Sequence, residues 1–154
     1  MLDKTDRALL RALQYNATAT AQELSSTLHL SASQISRRKA RLEAEGYIAG
    51  YGARLSADQL GLAVQAFVQV SMADHTPEHA RQFQALAERR PEVTSLWTLT
   101  GDADYLARVW CPSLADLNHL VHEVFLPHGS VARVRTQIVM SQIKADAGLP
   151  VEND

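Results

Sequence analysis

The chain has 154 residues, 46% hydrophobic and 21% charged, with seven glycines and five prolines. This composition suits one ordinary globular domain or two small ones and excludes a disordered or fibrous chain. Its net charge of −2 divides unevenly: residues 1–54 hold eight Lys/Arg against five Asp/Glu, a net of +3, and the remainder seven against twelve, a net of −5. No apolar run approaches the ~18 residues of a membrane span, the charged start MLDKTDRALL does not read as a secretory signal, and the single Cys111 allows no internal disulfide. These features predict a cytoplasmic protein.

Leu2, Leu9, Leu10 and Leu13 recur with helical spacing after Asp3 and Asp6, predicting a first helix over about 3–14. Thr20-Ala-Gln-Glu23 has the pattern of a capping box, so a second helix is expected over about 21–28, with Ala21, Leu24 and Leu28 inward. Ser31-Ala-Ser-Gln34 repeats the pattern, with Leu30 and Ile35 placed as a hydrophobic staple, and a third helix should run from 32 to near Gly46. Two helices joined through His29-Leu30-Ser31, the second opened by a serine cap, form the helix-turn-helix pattern. On the third helix Gln34, Arg37, Arg38 and Arg41 fall at i, i+3, i+4 and i+7, a stripe set away from Ile35 and Leu42. Arginine grips phosphates or guanine edges, and the cap puts Ser31 and Ser33 at the helix tip. The expected contacts to double-stranded DNA are therefore Ser31, Ser33, Gln34, Arg37, Arg38 and Arg41. Lys39 lies on the apolar side, where its stem should cover the core and its ammonium reach solvent or phosphate.

Four of the seven glycines, Gly46, Gly50, Gly52 and Gly61, cluster ahead of any proline and mark a link between two domains. From Val64 the period becomes two, with Val64, Ala66, Val68, Val70 and Met72 on one face and Gln65, Phe67, Gln69 and Ser71 on the other. Thr76-Pro77 opens a helix that Pro91 ends, two strands at about 93–99 and 105–111 flank Thr100-Gly-Asp-Ala-Asp104, Ser113 caps another helix, and a last strand spans 131–140. The order βαββαβ predicts a ferredoxin-like sandwich, so the fold class is α+β, a helix-turn-helix domain followed by that sandwich. The expected boundaries are 1–50 for the helix-turn-helix domain, 51–63 for the linker, 64–145 for the sandwich and 146–154 for a tail. Two helices cover one face of four strands. The other, expected to mix Phe67, Leu96, Leu106 and Trp110 with Gln65, Gln69 and Arg108, suggests sheet-on-sheet dimerisation.

LDKTDRALLRAL at 2–13, AQELSSTLHLSASQISRR at 21–38, RLEAEGYIAGY at 41–51 and TGDADYLARV at 100–109 together resemble the Lrp/AsnC (feast/famine) family of transcriptional regulators over nearly the whole chain. The resemblance implies a sensing domain that dimerises and often assembles further, up to octamers, and that binds amino acids or related small metabolites near the glycine- and aspartate-bearing loop. Carried over to this chain, the effector residues are Thr98, Gly101, Asp102, Asp104 and Tyr105, with Asp104 suited to an α-ammonium and Gly101 to the approach of a carboxylate. Where the family usually has an apolar residue, this chain has Lys39.

The rival readings are a stand-alone small-molecule-binding or enzymatic ferredoxin-like protein without specific DNA binding, and an RNA-binding module. His75 with His79, and His119 with His122, have spacings that suit a metal, yet neither pair has an evident third ligand nearby, and no nucleophile and base stand together. The expectation is a DNA-binding regulator that is not an enzyme and has no catalytic residues, metal or cofactor. Its partners are double-stranded DNA, other copies of itself and an amino-acid or small-metabolite effector, without a membrane.

Overall fold

Three capping boxes in succession begin the three N-terminal helices of this protein, whose computed structural model describes residues 1–151. Helix α1 (Lys4–Tyr15) starts where the Asp3 carboxylate accepts the Asp6 N–H at 2.7 Å and the Asp6 carboxylate accepts the Asp3 N–H at 3.1 Å. The sequence reading saw these aspartates only as favourable charges; the structure makes them a reciprocal cap. Helix α2 (Ala21–Leu28) is opened by Thr20 and Glu23, and α3 (Ala32–Ala44) by Ser31 and Gln34. Between α2 and α3 His29 adopts a left-handed conformation, φ 56°, and the Ser25 hydroxyl donates to the Leu30 carbonyl at 2.5 Å. Leu9, Leu10, Leu13, Leu24, Ile35 and Leu42 form the core of this unit.

Two units divide the chain, one of Met1–Arg54 with the segment from Lys144 onward, the other Leu55–Ile143. Residues 152–154 of the expected tail lie outside the described residues. The second unit is a four-stranded antiparallel sheet in the order β2-β3-β1-β4, made of β1 (Val64–Met72), β2 (Val93–Thr98), β3 (Tyr105–Cys111) and β4 (Val131–Ile138). Helix α4 (Pro77–Glu88) and helix α5 (Leu114–His119), which continues as a π-helical turn over Leu120–Phe125, carry the matching apolar surface. Phe83 is central to the core, its ring centroid 4.9 Å from Tyr105 and 5.7 Å from Phe125. The order βαββαβ and the α+β class agree with the sequence reading.

Leu96 lies on the other face from that expected. It pairs with Ala107 and packs into the core, so its neighbour Trp97, paired with Leu106, takes the open face; the register shift between Val93 and Ser95 reverses the phase of the strand. Val131 also packs against the core, where a second shift between Ser71 and Met72 brings it opposite Met72. The open face therefore carries Phe67, Trp97, Leu106 and Trp110 among Gln69 and Arg108, with Gln65 buried on the same side.

Candidate nucleic-acid interface and effector loop

The tip of α3 is a closed hydrogen-bond ring. Ser31 Oγ accepts the Gln34 N–H at 3.2 Å, the Ser31 N–H donates to Gln34 Oε1 at 2.9 Å, and the Ser33 hydroxyl lies 3.0 Å from that of Ser31. All three residues are exposed, as is Arg37, which follows one turn later and has no ion pair among the described residues. A pre-formed tip of this kind, set on a rigid helix by Ile35 and Leu42, presents hydroxyl, amide and guanidinium groups on one side.

Arg38 and Arg41 depart from the free outward stripe that the spacing suggests. Arg38 Nη1 donates to Asp3 Oδ2 at 2.6 Å and to Asp6 Oδ1 at 2.7 Å, and Arg41 Nη2 donates to Asp6 Oδ2 at 2.5 Å. The Asp6 side chain is 1% exposed, against 29% for Arg38 and 41% for Arg41. Burial pushes the Asp6 carboxyl up, but the hydrogen bonds from Arg41, the Asp3 backbone and Arg38 outweigh it and hold the group at about 2. Asp3 is also held low, by the Asp6 backbone N–H and by Arg38. Asp3, Arg37, Arg38 and Arg41 line a cleft of about 300 Å³. Asp6 is the residue the sequence reading missed; its spacing from Asp3 was visible, its partners 32 and 35 residues away were not.

Lys39 finds a different partner from that expected. Its ammonium lies 4.8 Å from the centroid of the Tyr51 ring, whose hydroxyl donates to Glu43 Oε1 at 2.7 Å. Burial and the Glu43 carboxylate push the Tyr51 hydroxyl up to about 12. Lys39 and Glu43, one turn apart, thus hold the chain that leaves the helical unit.

The expected effector residues separate into two groups. Asp104 Oδ2 accepts the Met72 N–H at 2.7 Å while His75 Nδ1 stands 3.4 Å from Asp104 Oδ1, and the Asp102 carbonyl accepts the Ser71 hydroxyl at 3.0 Å. These bonds stitch the loop to the end of β1. Gly101 lies at the exposed turn with φ 114°, with open space where a Cβ would stand. Tyr105 instead points into the core, its hydroxyl accepting from Gln84 Nε2 at 3.3 Å, and shares with Thr98 a cleft of about 470 Å³ that Glu88 and Trp97 also line. One histidine of each pair meets a carboxylate of its own unit beside it, His79 with Asp74 at 2.7 Å and His119 with Glu123 at 3.0 Å. Among the described residues no group of three or more His, Cys, Asp or Glu is placed to hold a metal, and no helix is long and apolar enough to cross a membrane.

Comparison with known proteins bears on both units. The AsnC-type helix-turn-helix domain matches residues 2–43 and the Lrp/AsnC ligand binding domain residues 65–149. The DNA-binding transcriptional activator DecR of Escherichia coli K12 is 32% identical over 99% of this chain and 100% of its own length, and the leucine-responsive regulatory protein of Salmonella typhimurium 30% over 98% and 92%. Among solved structures, a transcriptional regulator of Neisseria meningitidis in complex with L-Met is 35% identical with a TM-score of 0.94, covering 97% of each chain. An AsnC family regulator of Agrobacterium tumefaciens is 30% identical with a TM-score of 0.90 at the same coverage. A helix-turn-helix unit and a βαββαβ unit in this order, matched along the whole chain, make this protein a member of the Lrp/AsnC family of transcriptional regulators.

Proposed function

We propose that this regulator works in the cytoplasm as a homo-oligomer that binds duplex DNA through α3 and its cap, and that an amino acid or related small metabolite bound by its C-terminal unit modulates it. The observation that carries the reading is the exposed, pre-capped tip of α3, which groups Ser31, Ser33, Gln34 and Arg37, with Arg38 and Arg41 in the adjoining cleft. A partner copy is favoured by the open sheet face, where Phe67, Trp97, Leu106 and Trp110 lie together. Thr98, Gly101, Asp102, Asp104 and Tyr105 are the proposed effector residues. The L-Met complex of the Neisseria relative supports the effector class, and the stitched loop supports a site whose backbone is set in advance.

The test is selection of duplexes from a random pool, followed by equilibrium binding with and without each of the twenty amino acids and sedimentation of the protein alone. Expected are half-sites spaced by about one helical turn or a multiple of it, a mass at least twice that of one chain, and an affinity or mass that one amino acid shifts. Preference for single-stranded RNA overturns the DNA reading. A monomeric mass overturns the assembly, and indifference to every amino acid overturns that effector class.

A further inference from the structure

We infer that Asp6, with Asp3, is a specificity-determining clamp, which reserves Arg38 and Arg41 as positioned donors and withholds their charge from unselective phosphate binding. The inference rests on the DNA-binding reading above and adds a role for a carboxylate pair on a different helix. Three arginines line one side of the helical unit, but the two aspartates reduce their combined charge from +3 to +1. The clamp is tight: both Asp6 oxygens are bonded to guanidinium groups, and Asp6 is closed off from solvent. A buried carboxylate that loses these partners stands uncompensated, so an arriving phosphate does not readily draw either arginine away. Each arginine bonds its aspartates through one terminal nitrogen, Nη1 in Arg38 and Nη2 in Arg41, and a guanidinium has five N–H donors in a fixed fork. The remaining donors are thereby held in a set direction at a cleft of about 300 Å³, with Arg37 contributing the charge that no carboxylate offsets.

Counter-ion release gives this arrangement a signature. Each additional phosphate neutralised steepens the slope of log affinity against log salt by about 0.9. A helix-packing role alone leaves that slope where it is.

The experiment measures salt slopes for the full-length protein on poly(dI-dC), as unselected duplex, and on the tightest duplex recovered from the random pool. Asp6→Asn raises the local charge by one. The expected result is a slope on poly(dI-dC) steeper by about 0.9, tighter binding to it at low salt, and at least a tenfold fall in the ratio of selected to unselected affinity. Asp3→Asn keeps a good helix cap and is the variant least exposed to misfolding; because it removes one of the two carboxylates on Arg38 and leaves the bond to Asp6, it should steepen the slope in the same direction. Unchanged or shallower slopes in the folded variants overturn the clamp. Failure of the wild-type protein to bind either duplex overturns the DNA reading and the clamp with it, whereas wild-type binding with unaltered variant slopes removes the clamp alone.

Discussion

The charge on Asp6 survives in a place water does not reach, because hydrogen bonds from two guanidinium groups and the Asp3 N–H replace its hydration. Its folded-state value of about 2 lies below the ordinary 3.8, so the folded state binds fewer protons and gains stability on the alkaline side. The contribution, about 2 kcal/mol, is complete above roughly pH 5 and disappears as the pH falls through about 2, with about 1 kcal/mol already lost at pH 3. Urea unfolding of the helical unit at pH 5 and pH 3 should show this loss in the wild-type protein and a smaller one in Asp6→Asn; equal losses refute the assignment. Gly101 poses a different single-residue problem. Its φ of 114° is a conformation side chains rarely adopt, while the space around it is open, so Gly101→Ala tests backbone strain without a clash. The C-terminal unit should lose about 1–3 kcal/mol and the helical unit nothing, read as separate shifts in two unfolding transitions.

At the scale of elements, information that lies within a few residues was legible and information carried by distant partners was not. The boxes at Thr20-Glu23 and Ser31-Gln34 start helices at the expected residues because both halves of each cap are three positions apart. The box at Asp3 escaped because aspartate fills both roles usually divided between a hydroxyl and a glutamate. Helix phase correctly exposed Ser31, Ser33, Gln34 and Arg37, but phase alone does not show that Arg38 and Arg41 meet carboxylates on another helix. In the sheet, alternation assigned β1 and β3 properly, and it failed at Leu96, where a register shift inserts one residue and exchanges faces. The π-helical turn is also invisible to a 3.6-residue template, since Leu120, Val121, Val124 and Phe125, all buried, share one face in an ordinary α-helix as well. The α3 box yields a prediction of its own. Ser31→Ala removes an acceptor for the Gln34 N–H and the hydroxyl that meets Gln34 Oε1, which should cost about 1 kcal/mol. Because Gln34 completes the same ring, the double replacement Ser31→Ala with Gln34→Ala should cost less than the two singles added, and strict additivity in urea unfolding counts against the ring.

Across the whole molecule, the division into units means that the chain passes from the helical unit to the sheet unit at Arg54/Leu55 and returns at Ile143/Lys144. The returning segment is held by side-chain amide pairing. Gln14 Nε2 donates to the Leu149 carbonyl at 3.0 Å, the Leu149 N–H donates to Gln14 Oε1 at 2.6 Å, and Arg11 Nη1 donates to the Val151 carbonyl at 3.1 Å. Leu149 and Val151 then join Leu10, Leu13, Tyr47 and Ile48 in lining an open cleft of about 400 Å³ within this unit. The close approach depends on Gly148, since a Cβ there would run into the Gln14 amide. A long glutamine ordinarily swings aside at little cost, but here swinging aside breaks both bonds to Leu149. Gly148→Val should therefore release the segment and lower the stability of the helical unit by about 1–3 kcal/mol, the worth of two ordinary hydrogen bonds. Hydrogen exchange reads this directly: the Leu149 amide should lose its protection in Gly148→Val and in Gln14→Ala, while amides of β1 exchange as in the wild-type protein. Retained protection at Leu149 in both variants means that contacts other than the glutamine pair hold the segment in place.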